Sequence, residues 1–329
     1  MISTELTRRL GLKYPIVLAP MGGVSGGELT GAVSAAGGLG MLGAGPTATV
    51  EWIAAQSALA RPHGRFGIGL LTWKVDLQPE LLDAALAEHP IAVSLSAGDP
   101  TLYVERIHTA GATVLAQVSN ARLARQAIDA GVDVLVAQGA EAGGHTGPIG
   151  ILPLLQQVLE IGDEAGIPVL AAGGIATGRA IAGVLAMGGA GVWVGTRFAA
   201  TLEALGRPEA KQAILKSEET ETVRTHVFDI AQRLPWPDEF PGRALRNRFT
   251  ERWHGHEEEL QQRLEEVSPA LEAARKAGDY DQMYVYAGQA IGLIHDVPPA
   301  GDLVRRLAEE AEQHLRRASG LVRDEGARA

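Results

Sequence analysis

Eight short apolar runs, each closed by glycine or proline, punctuate the chain between Ile16 and Gly195. They are Ile16–Pro20, Leu39–Leu42, Phe66–Leu70, Ile91–Leu95, Thr113–Gln117, Asp133–Ala137, Pro168–Ala172 and Gly191–Gly195. Each has strand length, and most lack apolar–polar alternation, the pattern of strands buried on both faces in a parallel sheet. Between them lie seven segments with helical spacing. Several of these end in a small residue and a glycine just before the next run, as in AAGGLG, TAGATV, DAGVDV, EAGIPV and MGGAGV. Glycine there supplies the left-handed cap that turns a helix back into a strand. The unit recurs every roughly 20–30 residues. Eight strands alternating with helices make a (β/α)8 TIM barrel the expected fold. A doubly wound open sheet is the rival, but eight near-equal units without a reversal signal favour closure.

After Arg197 the alternation stops. Residues 208–282 are rich in Glu, Lys, Arg and Gln and contain the triplet Pro235-Trp236-Pro237. They read as a mostly helical insertion domain near the C-terminus, its charge a solvated face. The division is therefore a barrel from 1–207 and 283–329 and an insertion from 208–282. The tail Gly301–Arg317 has an amphipathic helical pattern and is expected to pack back on the barrel.

Composition removes several functions. A formal net charge of −10 argues against a nucleic-acid partner. The absence of cysteine excludes disulfides, zinc–thiolate sites and cysteine nucleophiles, and fits a reducing cytoplasm. The N-terminal stretch carries an early acid and no long apolar run, so neither a signal peptide nor a membrane span is expected. No Walker A motif, HExxH or nucleophile elbow occurs. His254 and His256 flank Gly255 in the charged insertion without a further ligand set, and read as a surface pair.

In a barrel of this kind the chemistry sits just past the C-terminal ends of the strands. The sixth run leads into AQGAEAGGHTG, residues 137–147, a loop of small residues with one titratable ring, His145. Glu141 lies four residues before it, able to pair with it or to stay solvated. The loops after the seventh and eighth runs are AAGGIATG and GVWVGTRF. They put bare backbone at Gly173 and Gly174, then Gly195, the Thr196 hydroxyl and the Arg197 cation, in the two positions where barrels commonly bind phosphate.

Taken together, PIVLAPMGG with AVSAAGGLGMLG, then QGAEAGGHTG, AAGGIATG and GVWVGTRF, resemble the nitronate monooxygenase family, formerly called 2-nitropropane dioxygenases. These FMN-dependent barrels are related to flavin-dependent enoyl-ACP reductases. The likeness covers about residues 10–200 and returns weakly at Val285–Ile294. It implies FMN as cofactor, with Met21 and Gly22 lining the flavin ring through the backbone and Gln138, Gly143 and Gly144 contacting it from the sixth loop. It further implies that Gly173, Gly174, Gly195 and Thr196 hold the phosphate, and that His145 is the catalytic base toward a nitroalkane. Two positions depart from the family: Gly69 stands where members commonly carry asparagine, and Gln117 where some carry a basic residue. Trp73 is a candidate for shaping the substrate pocket.

The implied reaction oxidises alkyl nitronates or nitroalkanes with O2 to a carbonyl compound and nitrite. An NAD(P)H-dependent reductase of quinones or enoyl thioesters would use much the same barrel. A non-catalytic binder of flavin or another phosphorylated ligand is the third reading, against which the retained His145 argues. The expected partners are a small-molecule substrate with O2 or NAD(P)H, without membrane or nucleic acid, and the resemblance allows a homodimer.

Overall fold

The computed structural model describes residues 2–321. Its main sheet is built from β1 (Ile16–Leu18), β2 (Met41–Ala44), β3 (Gly67–Leu71), β4 (Ala92–Ser96), β5 (Thr113–Val118) and β6 (Val134–Gln138). After the short β7 (Gly144–His145) it continues with β8 (Val169–Ala172) and β9 (Gly191–Val194). All neighbours in the order β1-β9-β8-β6-β5-β4-β3-β2 are parallel. The remaining seam is closed by Leu39, whose N–H donates to Ile16 O and whose carbonyl accepts from Leu18 N–H, both at 2.9 Å. The eight expected strands are therefore present and form a barrel, with β8 and β9 as its seventh and eighth staves.

Strand alternation divides the apolar side chains into two cores. One residue in two points inward: Val17, Met41, Ala92, Leu115, Val134, Val136, Leu170, Ala172 and Trp193 fill the cylinder. Leu6 and Leu10 of the helix Glu5–Leu10 join them and plug the N-terminal end. That helix is held in place by a reciprocal cap between Thr4 and Thr7. The other strand residues, such as Ile16, Leu18, Val93, Leu135 and Val192, pack outward against the ring of helices.

The C-terminal helix Ala300–Ser319 completes that ring. Its buried stripe of Ala300, Leu303, Val304, Leu307, Ala308 and Ala311 belongs to the same outer core. It lies between the helices Gly27–Ala36 and Gly178–Ala186, the place of an eighth barrel helix. A Cβ at Gly178 would fall 2.3 Å from Glu310 Cβ, so glycine is needed for the two helices to approach. Everything between β9 and this helix is thus one long excursion from the C-terminal rim.

The excursion has a core of its own, centred on Phe228, Phe249, Trp253, Leu260 and Leu271. Between 208 and 282 it carries helices at Pro208–Lys216, Val227–Gln232, Arg248–Trp253, Glu257–Gln262 and Leu264–Ala277. It also carries two strands, β10 (Thr222–Thr225) and β11 (Gly242–Leu245), in a stretch whose sequence shows no strand–helix alternation. They pair antiparallel, and β11 pairs in turn with β7 from the loop after β6. This sheet is what fastens the cap to the rim of the barrel.

Candidate active site

His145 is the second residue of β7, and three contacts fix its ring. The β7–β11 register sets it opposite Gly242, where a Cβ would come within 3.3 Å of His145 Nε2 and 2.8 Å of Tyr286 Cε1. Trp236 lies flat against the imidazole, with centroids 3.4 Å apart and planes within 4°. Tyr286 tilts toward the same ring at 5.4 Å, and Trp73 meets Trp236 edge-on at 5.6 Å.

The ring's Nε2 stands 2.9 Å from Asp229 Oδ1. Asp229 is buried, its side chain 4% exposed, and His145 nearly so at 9%. Asp229 sits on the helix Val227–Gln232, and its other oxygen lies 3.8 Å from His226 Nδ1. His226 Nε2 is 3.1 Å from the Asp238 carbonyl, two residues beyond Trp236. One carboxylate thus connects the candidate base to the loop that carries the stacked tryptophan. Burial opposes the charge on Asp229, but the hydrogen bond from His145 and the nearby His226 imidazole prevail and hold the carboxyl below the ordinary aspartate range. The neighbouring Asp229 carboxylate raises His226 in turn. Burial, reinforced by the Asp229 charge, pushes the Tyr286 phenol well above its usual value.

The turns after β8 and β9 present backbone. Gly173 and Gly174 adopt φ of +102° and +69°, which side-chain-bearing residues avoid. A Cβ at Gly173 would meet Ala142 and the Gly139 carbonyl at 3.2 Å, so this loop packs directly under the loop after β6. None of the N–H groups of Gly173, Gly174, Gly195 and Thr196 takes part in the turn and loop hydrogen bonds of the described residues. The Thr196 hydroxyl, in contrast, accepts from Gly288 N–H at 3.0 Å.

The other sequence candidates fall around the rim. The Met21 sulfur lies against Gly195, where a Cβ would be 3.4 Å away, and the Met21 backbone covers Gly43. Gly22 packs backbone to backbone on Gly45. Gln117, on β5, donates through Nε2 to Gln138 Oε1 at 2.8 Å. Gly143 faces Ala287 and Gly288 closely enough that a Cβ would come within 2.8 Å, and Gly144 opens β7. The segment Val285–Ile294, a weak echo of the family in sequence, is therefore what packs on the sixth loop.

Two readings from sequence are corrected. Arg197 is no free cation for a phosphate: its buried guanidinium ion-pairs with Asp296 and donates to the carbonyls of Asp296 and Ala200. Glu141 neither pairs with His145 nor stays solvated. Both its oxygens accept from Ile151 N–H, at 3.0 and 2.9 Å, capping the helix Ile151–Ala165. His254 and His256 gather no ligand set, and no cluster able to hold a metal occurs among the described residues. Sequence reasoning missed Asp229, His226 and Tyr286. The triplet around Trp236 was visible only as a composition shift.

A closed parallel barrel with a glycine-backbone rim and a buried imidazole–carboxylate pair at its C-terminal end defines an α/β-barrel enzyme. The chain belongs to the nitronate monooxygenase family, which it matches over residues 3–64 and 79–310. It is accordingly an oxidoreductase, in a family of flavoenzymes. It is 33% identical to the nitronate monooxygenase of Neurospora crassa, with 94% of this chain and 92% of that one covered. It is 30% identical to a (3aS,4S,5R,7aS)-5-hydroxy-7a-methyl-1-oxo-octahydro-1H-indene-4-carboxyl-CoA dehydrogenase of Mycobacterium tuberculosis, covering 98% and 99% of the two chains. The solved nitroalkane oxidase of Streptomyces ansochromogenes superimposes with a TM-score of 0.80 at 32% identity, over 96% of this chain and 99% of that one. The unmatched stretch 65–78 contains both Gly69 and Trp73. At Gly69 a Cβ would lie 2.3 Å from Cβ and Cγ of Pro20, so the proline ring already fills the space an asparagine would enter. Among the described residues no helix is long and apolar enough to cross a membrane.

Proposed function

We propose that the protein is an FMN-dependent nitronate monooxygenase that oxidises alkyl nitronates and nitroalkanes with O2 to a carbonyl compound and nitrite in the cytoplasm. The observation that carries this reading is the nearly buried His145, held by Asp229 at a barrel rim that also presents main-chain N–H groups outside the turn and loop hydrogen bonds. The left-handed Gly173–Gly174 turn and the N–H groups at Gly195 and Thr196 fit the phosphate of FMN, because at the three glycines no Cβ stands between the main chain and the phosphate oxygens. Met21, Gly22, Gln138, Gly143 and Gly144 would complete its binding. FMN, when bound, supplies the electron transfer and the reaction with oxygen.

The chain's own residues do the rest. His145 takes the acidic proton from the carbon next to a nitro group, a task suited to an imidazole near neutral pH. The indole N–H groups of Trp73 and Trp236 are buried without a partner in the protein, which suits them to the two acceptor oxygens of a nitronate. Residues 208–282 act as a cap domain that supplies Asp229 and Trp236 and excludes water from the base, while 1–207 and 283–329 form the flavin-binding barrel.

The test is an anaerobic titration of the yellow protein. An alkyl nitronate should bleach the flavin, and re-aeration should yield nitrite. Bleaching by NADH or NADPH with inert nitronate would favour a second reading, a reductase or dehydrogenase of thioesters or quinones. The likeness to the carboxyl-CoA dehydrogenase supports that alternative.

A further inference from the structure

We infer that Asp229 is the positioning residue of His145, fixing the ring with its proton on Nε2 so that Nδ1 is the basic atom. This rests on the reading of His145 as the base. A carboxylate only accepts hydrogen bonds, and a neutral imidazole has one N–H. The 2.9 Å contact between Nε2 and Asp229 Oδ1 therefore assigns the proton to Nε2 and leaves the Nδ1 lone pair free. Trp236, flat against one face at 3.4 Å, holds the ring against turning over to exchange the two nitrogens.

The placement of Asp229 fits this role better than a structural one. A buried carboxylate is costly unless paired, and the partners facing it are His145 from β7 and His226 from its own helix, with the phenol of Tyr286 nearby. Its Oδ2 has no hydrogen-bond partner within the protein, so the carboxylate is not part of a saturated structural network. It is also on the cap, while His145 is on the loop after β6. The base is thus correctly oriented only when β11 is paired with β7 and the cap is seated, which links water exclusion to activation of the base.

Two measurements decide it. Long-range 1H–15N spectra of the flavin-loaded protein, labelled at histidine and assigned by the loss of a signal in His145→Gln, should show the His145 proton on Nε2. A proton on Nδ1 overturns the assignment, and this readout needs neither turnover nor a variant of Asp229. In Asp229→Asn, kcat for a neutral nitroalkane should fall by roughly 10²-fold, the lower part of the range for a misoriented or lost base. Turnover of a preformed nitronate, which needs no proton removed, should be unchanged, as should flavin content. Equal loss with both substrates, or loss with neither, overturns the role. If instead His145→Ala keeps full nitroalkane turnover while the spectra still show the Nε2 proton, it is the reading of His145 as base that fails.

Discussion

The two groups of residues in the proposed active site are made of different material. On the barrel side the groups are main-chain amides at Gly173, Gly174, Gly195 and Thr196, presented by tight turns at the ends of β8 and β9. On the cap side they are side chains, Asp229, Trp236 and His226, placed around His145 by the pairing of β11 with β7. A backbone site depends on its turn conformation and not on the charge of any side chain. A side-chain site depends on charge, tautomer and stacking. The proposed binding of a phosphate-bearing cofactor by the first and of a reacting carbon by the second would call for this division.

The largest expected effect lies on the cap side. His145→Ala should lower turnover of a neutral nitroalkane by roughly 10²–10⁴-fold, the usual span for a lost general base, while flavin stays bound. Steady-state nitrite formation and the flavin absorbance of the purified variant check the two halves. Loss of flavin along with activity would erase the distinction between the two sides.

Next comes a test that separates charge from backbone on the barrel side. Asp296→Asn removes the carboxylate paired with the buried Arg197. Leaving that guanidinium without its counter-charge should cost about 1–3 kcal/mol of stability, read as a lower denaturant midpoint. Flavin affinity should not move, because Arg197 is turned to Asp296 and to main-chain carbonyls. A variant of normal stability that loses flavin would return Arg197 to the phosphate.

The same division explains how much of the molecule is legible in its sequence. The barrel and its backbone rim can be read because each glycine sits at a set offset from an apolar run, and local geometry demands it. The ring of helices looked one short only because the eighth, Ala300–Ser319, is separated from β9 by the whole cap. Glu141 and Arg197 were visible as charges, but their partners, Ile151 N–H and Asp296, depend on tertiary placement. Asp229 could not be found at all. It is an ordinary acid on a short helix, 84 residues from His145 in sequence, and it is brought there by a register between two strands that no periodicity announces.

A smaller effect is expected from enlarging the backbone side. Gly174→Leu puts a side chain at φ +69°, worth roughly 1–2 kcal/mol against the left-handed turn. That corresponds to about a tenfold or greater loss of flavin affinity if the turn is what holds the phosphate. Equilibrium titration of the apoprotein with FMN measures it. The nitroalkane-to-nitronate rate ratio of the fully loaded variant should match the wild type, since the proton-abstracting side is untouched. A changed ratio would mean that the two sides are coupled.

The smallest effect concerns the latch within the cap. The Asp229 carboxylate raises the pKa of His226 in the folded protein, so protonation of His226 favours folding. That contribution is fully present below the ordinary histidine value of about 6.5 and is lost as pH rises through the higher folded value. Asp229 itself is held below its ordinary range and Tyr286 well above its own, so neither change of charge falls between these limits. The gap in melting temperature between the wild type and His226→Gln should therefore be wider at about pH 5.5 than at about pH 9. A gap that does not vary with pH would mean that His226 holds the Trp236 loop only through the Asp238 carbonyl, and that Asp229 serves His145 alone.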